Sequence, residues 1–423
     1  MDYRQTLDYL YGLQRFGIKL GLENIRTLLA RLGHPEAGYR TAHVAGTNGK
    51  GSACATLAAI LGRGANRVGL YTSPHLHSFT ERIRVDGEPI AEEEVVALTR
   101  LLRPLADDVP ITFFEFTTAL ALLHFQRQKV DIAVLEVGMG GRLDATNVVM
   151  PQVTVITPVC FDHAEHLGAD LAAIAAEKGG IIKSGVPLVL GRQEPAAEKV
   201  LTTIAAELQA PLLRLGRDFS VSTTAGGFSF RGLGLALEGL RPGLEGEHQH
   251  ENLALALAAA ALLRHQGEKV TPTSLRDGVA AVRWPGRLEW WDDQRQILLD
   301  GAHNEGGARV LAAYLAQRVS AGVRWVVGLK GDKRPADILG PILPRVCALY
   351  GTEPPVETSI PATTLVAAGM AAGVPSRAFA TPQEAFAAAL ADCRQGEIVL
   401  VAGSLYLVAA ARQFLMDLQR SRA

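Results

Sequence analysis

The sequence predicts an α/β protein in which two parallel-sheet domains follow one another along the chain. Its 423 residues are too many for one ordinary hydrophobic core. Apolar strand-like runs alternate with helix-like segments in both halves, which favours parallel strands covered by helices on both faces. Trp284-Pro285-Gly286 interrupts this pattern before a new alternation begins, so we place the domain boundary between residues 285 and 286.

The hydrophobic pattern predicts the elements of each half. Helical spacing of leucine and isoleucine covers residues 2–32. Strands are then predicted at 40–45, 67–71, 130–137, 153–158 and 187–190, with helices at 52–62, 113–126 and 251–265. Residues 219–240 are rich in Gly, Ser and Thr with local alternation, which predicts a small antiparallel appendage. In the second half, strands are predicted at 296–299, 324–328, 348–350 and 398–402, with helices between them.

Composition excludes several classes of protein. Hydrophobic residues make up 48% and charged residues 20%, which indicates a packed globular chain. A net charge of -1 predicts no broad attraction to nucleic acid or to a membrane surface. The four cysteines lie far apart, and the chain shows neither a signal peptide nor an apolar segment long enough to span a bilayer. We therefore expect reduced thiols and a cytoplasmic protein.

A glycine-rich loop, Gly46-Thr47-Asn48-Gly49-Lys50-Gly51-Ser52, lies between a predicted strand and a predicted helix. Glycines let backbone N–H groups approach phosphate oxygens, and the helix N-terminus favours the anion. Lys50 adds a positive charge, and the Ser52 hydroxyl could bind Mg²⁺. The strict Walker spacing fails, because Val44 stands where it requires glycine and Gly51 where it requires Ser or Thr. The alternative is an ordinary glycine turn with a solvated lysine.

Other candidate residues follow predicted strands or lie in helices. Glu136 ends an apolar strand, at the edge of a parallel sheet where α/β proteins bind ligands; a solvated or helix-capping carboxylate is the alternative. Asp300 and His303 follow a strand of the second domain in the same way. By composition alone Lys178 is a surface helix lysine and His163 a structural histidine.

Ten segments in order between residues 43 and 412 resemble the Mur ligase superfamily. Within it, they look like the folylpolyglutamate synthase and dihydrofolate synthase family. The segments are HVAGTNGKGS, TSPHLHSFTERIRVDG, TFFEFTTALAL, LEVGMGGRLDATN, FDHAEHLG, AAEKGGIIK, HQHENLALALAA, WPGRLE, DGAHNEGG and AGSLYLVAAAR. Any one segment is moderately specific, whereas the whole set in order is very specific.

The resemblance implies an ATP-dependent amide ligation in which a folate-type carboxylate becomes an acyl phosphate and is then attacked by the amino group of L-glutamate. It implies a P-loop-type parallel-sheet ATPase domain with a pterin pocket over residues 1–285, followed by a smaller Rossmann-like α/β glutamate ligase domain over residues 286–423. ATP, two Mg²⁺ ions, dihydropteroate, reduced folates and a monomeric chain belong to the same expectation.

The resemblance also assigns roles residue by residue. Catalytic roles fall to Lys50, Lys178, Asp300 and His303, with Lys178 expected to be carbamylated. Nucleotide contacts fall to the loop Gly46, Thr47, Asn48, Gly49, Lys50, Gly51 and Ser52, and to Asn252, Arg287 and Asp300. The Mg²⁺ ligands would be Ser52, Ser73, Glu136 and His163. Pterin and glutamate contacts fall to Phe79, Arg82, Phe114, Glu115, Asp144, Ala145 and Ser404. Glu305 stands where the family usually has proline, which leaves the contacts of Asn304 open.

Alternatives to a bifunctional enzyme stay open at this stage. Asp144-Ala145 resembles the bifunctional type, whereas monofunctional polyglutamate synthases often carry Ser at the second position; Asp144 could instead only organise a turn. A monofunctional enzyme of either kind, a Mur-type ligase acting on a peptidoglycan precursor, and a nucleotide-binding module without catalysis are the other candidates.

Overall fold

The computed structural model describes residues 1–16, 21–162, 167–168, 170–224, 226–292, 296–320 and 322–422. The chain forms two compact units. The first comprises Met1–Gly243 and Gln249–Arg283, and the second comprises Leu244–His248 and Trp284–Ala423. The assignment of separate roles to residues 1–285 and 286–423 stays a prediction.

The first unit is built on a mixed sheet. Its strands are β1 Arg40–Ala45, β2 Val68–Tyr71, β3 Ile83–Val85, β4 Glu88–Pro89, β5 Ile132–Glu136, β6 Val153–Ile156, β7 Leu188–Leu190 and β8 Leu212–Arg214. Among the described residues the order is β4-β3-β2-β5-β1-β6-β7-β8. Pairing is parallel from β2 through β8, and β3 and β4 extend one edge antiparallel. Strands β5 and β6 are buried along their whole length, as helices on both faces require.

Helices cover this sheet, with one apolar cluster under the N-terminal helices and another under Leu171–Gly179 and Pro195–Glu207. The helices are α1 Tyr3–Gly12, α2 Glu23–Arg31, α3 Lys50–Arg63, α4 Glu92–Ala106, α5 Phe113–Arg127, and then Leu171–Gly179, Pro195–Glu207, Glu247–His265 and Pro272–Ala281. In the described parts of residues 2–32 the helical pattern is not continuous: α1 ends at Gly12, the short 3-10 turn Leu13–Phe16 follows it, and α2 begins at Glu23.

The predicted antiparallel appendage is confirmed. Strands β9 Phe219–Thr224, β10 Gly227–Gly232 and β11 Leu235–Leu240 form a three-stranded sheet in the described chain, and β10 pairs antiparallel with both neighbours. Phe228 and Phe230 alternate inward along β10 and are buried. Alternation with a period of two thus identified the sheet correctly.

The second unit has its own parallel sheet. Its strands are β12 Glu289–Trp290, β13 Ile297–Asp300, β14 Val323–Val327, β15 Val346–Gly351, β16 Ser376–Ala378 and β17 Ile398–Ala402. Over the described residues the order is β12-β13-β17-β14-β15-β16, and β12 pairs antiparallel with β13. Its helices are Glu305–Arg318, Pro335–Ile342, Ala362–Ala371, Pro382–Asp392 and Leu405–Arg422. The predicted α/β class, a parallel-sheet unit followed by a smaller α/β unit, is confirmed.

Two further expectations concern the thiols and the membrane. All four cysteines are free. Among the helices that the structure describes, none combines the length and apolar character needed to cross a membrane.

Candidate active site

The predicted phosphate loop lies at the carboxyl end of β1 and leads into α3. Gly46 and Gly49 adopt φ values of +138° and +89°, in the region that disfavours other residues. A Cβ at Gly46 would lie 1.9 Å from Thr157 Oγ1, and a Cβ at Gly49 would lie 2.2 Å from Asn252 Oδ1. Both glycines are therefore required by close approach as well as by backbone conformation.

Contacts from the loop after β6 hold the phosphate loop in place. The Thr47 hydroxyl donates to Cys160 O at 3.1 Å and accepts from Cys160 N at 3.0 Å, while Thr47 N donates to Pro158 O. Lys50 is half-buried and its Nζ donates to Thr47 O at 3.2 Å. The first turn of α3 begins at Lys50, so its N–H groups lie at the positive end of the helix. This arrangement suits a bound phosphate.

Glu136 ends β5, and Ser73 lies two residues after β2, the strand that pairs in parallel with β5. Ser73 N donates to Glu136 Oε2 at 3.2 Å. Glu136 is 5% exposed and Ser52 is 2% exposed, so hard oxygen donors lie in a shielded position at the sheet edge that also carries the phosphate loop. Oxygen donors of this kind are what Mg²⁺ prefers, and the residues present therefore fit that ion. His163, the fourth predicted ligand, lies outside the described residues.

Lys178 is buried, contrary to what composition alone suggests for a helix lysine. It is 4% exposed and its Nζ donates to Gly46 O at 2.9 Å. Burial, reinforced by the positive charge of Lys50, lowers the pKa of Lys178 to about 7. The amine is thus beside the phosphate loop and is largely neutral above pH 7.

Asn252 also contacts the phosphate loop. It is 5% exposed, packs against Gly49, and donates from Nδ2 to Gln249 Oε1 at 2.9 Å. The structure therefore brings Lys50, Lys178 and Asn252 together around one loop.

The predicted pterin residues form a second cluster in the same unit. Arg82 donates from Nε to His75 Nδ1 at 2.8 Å, and its guanidinium lies 5.3 Å from the centre of the Phe113 ring. Phe79 is 1% exposed and meets Phe113 edge-on, so it supports the cluster from the core. Phe114 is half-buried, and its ring lies so close to Gly138 that a Cβ there would be 2.5 Å away.

Glu115 and Asp144 mainly organise backbone. Glu115 closes a capping box at the start of α5, where its Oε2 accepts from Thr112 N and Thr112 Oγ1. Asp144 accepts from Met139 N at 2.9 Å and from Thr146 N at 3.0 Å, and Ala145 begins the 3-10 turn that Asp144 caps. Burial raises the pKa of Asp144.

The predicted residues of the second unit lie at the ends of two paired strands, β13 and β17. Asp300 ends β13 opposite Ala402, and Ser404 follows β17 by two residues. Asp300 is 8% exposed and accepts from Leu288 N and Ala302 N at 2.8 and 2.9 Å; burial raises its pKa. Ser404 is 2% exposed and its Oγ accepts from Tyr406 N.

Arg287 and His303 lie near Asp300. Arg287 Nη1 would be 1.9 Å from a Cβ at Gly301, and its charge acts on Asp300. His303 Nδ1 is 2.7 Å from Gly301 O, and because a carbonyl can only accept, Nδ1 carries the proton. Asn304 caps the helix Glu305–Arg318 through Gly307 N.

Glu305, the departure from the family pattern, pairs with Arg309 one helical turn later. The first turn of the helix is therefore stabilised without the proline. Asn304, whose contacts the sequence left open, has a defined capping bond.

The sequence did not identify one buried pair beside Asp144. His43 Nε2 lies 2.8 Å from Thr146 Oγ1, and both residues are fully buried. The available signal was a histidine inside the strand predicted at residues 40–45.

Comparisons with known proteins place this geometry in a family. The family model for the Mur ligase middle domain matches residues 44–260, and that for the Mur ligase glutamate ligase domain matches residues 286–405. The folylpolyglutamate synthase of Lacticaseibacillus casei is 38% identical over 98% of this chain and 99% of its own length. The dihydrofolate synthase/folylpolyglutamate synthase of Escherichia coli K12 is 36% identical over 98% of this chain and 96% of its own.

Solved structures agree with these relatives. Escherichia coli FolC in complex with DHPP and ADP superposes with a TM-score of 0.90 at 33% identity, over 98% of each chain. The bifunctional folylpolyglutamate synthase/dihydrofolate synthase of Yersinia pestis, complexed with AMPPNP and Mn ion, superposes with a TM-score of 0.89 at 34% identity, over 98% of each chain. This chain belongs to the Mur ligase family and, within it, to the folylpolyglutamate synthase/dihydrofolate synthase group.

Proposed function

We propose that the chain is an ATP-dependent ligase that joins L-glutamate through an amide bond to dihydropteroate and to the γ-carboxyl of reduced folates. The observation that carries this proposal is Lys178, buried against the carbonyl of Gly46 with its pKa lowered to about 7. A neutral amine at that position can take up CO₂ as a carbamate. The resulting negative charge would lie close to the phosphate loop, where a metal ion is needed.

The first step activates the carboxylate, which is a poor electrophile until it is phosphorylated. A carboxylate oxygen bonds to the γ-phosphorus of ATP, the bond to ADP breaks, and an acyl phosphate forms. Lys50 and the N–H groups of residues 46–52 would stabilise the charge of the phosphoryl group in transfer. Mg²⁺, when bound, supplies further charge neutralisation; its ligands would be Ser52, Ser73, Glu136 and His163.

The second step forms the amide. The amino group of glutamate attacks the acyl carbon, the bond to phosphate oxygen breaks, and the nitrogen gives up a proton. We assign Asp300 and His303 to the orientation and deprotonation of this amine, and Ser404 to contact with glutamate. Arg287 is assigned to the ATP phosphates.

Pterin recognition is assigned to Arg82, Phe114, Asp144 and Ala145. Arg82 and Phe114 offer a guanidinium and a half-buried aromatic ring, which suit a flat heterocycle. In this division of roles, residues 1–285 bind the pterin substrate and hold ATP through the phosphate loop. Residues 286–423 bind glutamate and supply Arg287 to the ATP phosphates. A cytoplasmic enzyme accords with the four free thiols. The monomeric state is carried over from the resemblance alone.

The test is a product assay with ATP, Mg²⁺ and L-glutamate, using dihydropteroate or tetrahydrofolate as the acceptor. Mass spectrometry should detect one added glutamate on each acceptor, together with stoichiometric phosphate. Product from tetrahydrofolate alone would reduce the proposal to a monofunctional polyglutamate synthase, and product from dihydropteroate alone to a dihydrofolate synthase. Turnover only of a UDP-linked muramyl substrate, or ATP binding without phosphate release for every acceptor, would reject it.

A further inference from the structure

A chain of hydrogen bonds runs from the middle of β1 to the loop after β5. His43, with 0% exposure, lies 2.8 Å through Nε2 from Thr146 Oγ1. Thr146 Oγ1 in turn lies 2.5 Å from Asp144 Oδ1. None of these three side chains is more than 7% exposed, so water does not compete for these bonds.

The donors and acceptors around Asp144 determine which group donates in each hydrogen bond of this chain. Asp144 faces donors: Oδ1 also accepts from Thr146 N, and Oδ2 accepts from Met139 N. A carboxylate surrounded in this way is best matched by the Thr146 hydroxyl as a further donor. Because that hydroxyl has one proton, it must accept from His43, which therefore carries its proton on Nε2.

The environment of the other ring nitrogen agrees with this tautomer. In the described structure His43 Nδ1 is buried and has no hydrogen-bond partner. A buried N–H without a partner costs more than a buried lone pair, so the proton belongs on Nε2. Burial, with the nearby charge of Lys183, lowers the pKa of His43 to about 3, which keeps the ring neutral.

The carboxylate at the end of the chain holds a loop that touches two predicted site residues. Asp144 accepts a hydrogen bond from the N–H of Met139. On one side of Met139, Gly138 packs against the Phe114 ring. On the other side, a Cβ at Gly141 would be 2.9 Å from the carbonyl oxygen of Lys178. The loop is thus packed between α5 and the helix Leu171–Gly179, and small rotations of Asp144 would shift it.

We propose that His43 is a positioning residue for the pterin substrate: it donates to Thr146, Thr146 donates to Asp144, and Asp144 fixes the 138–141 loop against Phe114. The inference rests on the proposed function, because it needs a pterin to be bound beside that loop. His43 is fully buried, so its side chain is not on a surface that a substrate could contact. Its effect should appear in the binding of the pterin substrate and not in that of ATP.

Steady-state kinetics separates this role from general support of the strand. His43→Leu removes the first hydrogen bond of the chain, and Thr146→Val removes both. Each variant should raise KM for dihydropteroate at least about tenfold and leave KM for ATP unchanged. The double variant should be no worse than either single variant, because both break the same chain. Gln places an amide N–H near the position of Nε2, so His43→Gln should recover most of the loss, as should Thr146→Ser.

His43 lies only three residues before the phosphate loop, so a substitution there could also disturb ATP binding. An equal rise in KM for ATP would show such a general disturbance and would overturn the proposal. So would additive single variants or the absence of any rescue. If His43→Leu does not fold, Thr146→Val tests the same chain of hydrogen bonds. If the wild-type protein does not use dihydropteroate, the proposed dihydrofolate synthase activity fails separately, and the same comparison is made with tetrahydrofolate.

A spectroscopic test does not depend on activity. In ¹⁵N-histidine-labelled protein, the resonances that disappear in His43→Gln should show a neutral ring protonated at Nε2 from pH 5 to pH 8. A ring protonated at Nδ1, or an imidazolium in that range, would overturn the direction of the chain. The Thr146→Val variant should change the Nε2 shift and leave the ring neutral.

Discussion

Gly49→Ala provides a direct test of the phosphate loop, with Gly62→Ala as its matched control on the same helix. Gly49 precedes the first turn of α3 with φ +89°, and its new methyl group would be 2.2 Å from Asn252 Oδ1. Gly62 lies in the last turn of α3, where a Cβ would meet nothing within 4 Å. The two substitutions add the same atoms, but only one adds them where the backbone and a neighbour forbid it.

The two substitutions should change the free energy of unfolding in opposite directions. A residue with Cβ in the left-handed region costs about 1–2 kcal/mol, and displacing Asn252 from Gln249 costs about 1 kcal/mol more. Gly49→Ala should therefore lower the free energy of unfolding by about 2–3 kcal/mol, whereas Gly62→Ala should raise it by about 1 kcal/mol through helix propensity. ATP affinity should fall at least tenfold in Gly49→Ala only, because both the loop and Asn252 must move.

Urea unfolding followed by circular dichroism measures the first effect, and calorimetric titration with ATP measures the second. If Gly49→Ala unfolds at the same urea concentration as Gly62→Ala, the steric argument is wrong. If it is destabilised but binds ATP normally, the loop does not hold the nucleotide, and the assignment of residues 46–52 fails.

Three further predictions concern charged groups of the first unit. Lys50→Ala should abolish ligation and change the free energy of unfolding by less than about 0.5 kcal/mol, because a half-buried lysine in the first turn of α3 contributes little packing. Assays of phosphate release and urea unfolding check this prediction, and wild-type turnover would contradict it. Glu136→Gln keeps an oxygen that can accept from Ser73 N but removes the negative charge. The variant should need at least about tenfold more Mg²⁺ for half-maximal activity. An unchanged Mg²⁺ titration would exclude Glu136 as a ligand. For Lys178, the folded pKa of about 7 lies below the unfolded value of 10.5, so the unfolded chain binds more protons and stability rises with pH across this window. Between pH 7 and pH 9 the gain should be about 2 kcal/mol in bicarbonate-free buffer, and Lys178→Met should lose that gain; parallel pH curves of urea unfolding would show that Lys178 titrates normally.

The elements that could be predicted best are those whose pattern is local. The apolar runs that became β5, β6 and β17 are buried along their whole length, and a strand of that kind can be predicted from its own residues. Short edge strands such as β4, with only Glu88 and Pro89, carry no pattern of their own and depend on a neighbour for their pairing.

In the candidate site, too, some residues could be predicted from the local sequence and others could not. Gly46 to Ser52 could be found because the glycine spacing itself reflects the needed backbone conformation. The burial of Lys178 could not be found from its helix, because it depends on the carbonyl of Gly46, more than a hundred residues earlier. His43 was missed for a related reason: its partner Thr146 lies on a distant turn, and nothing adjacent to either residue indicates the bond between them.

If the pterin binds beside the 138–141 loop, as we propose, the loop limits which substitutions can give resistance to an inhibitor that mimics the pterin. Gly138 has the Phe114 ring against it, and Gly141 has the carbonyl oxygens of Glu177 and Lys178. A side chain at Gly141 would press on the backbone of the helix Leu171–Gly179, and one at Gly138 would push the Phe114 ring away from the loop. Resistance should therefore arise from substitution of flanking side chains such as Arg82, which can be replaced without moving the loop backbone. A compound that binds mainly to the loop backbone should retain its potency longest.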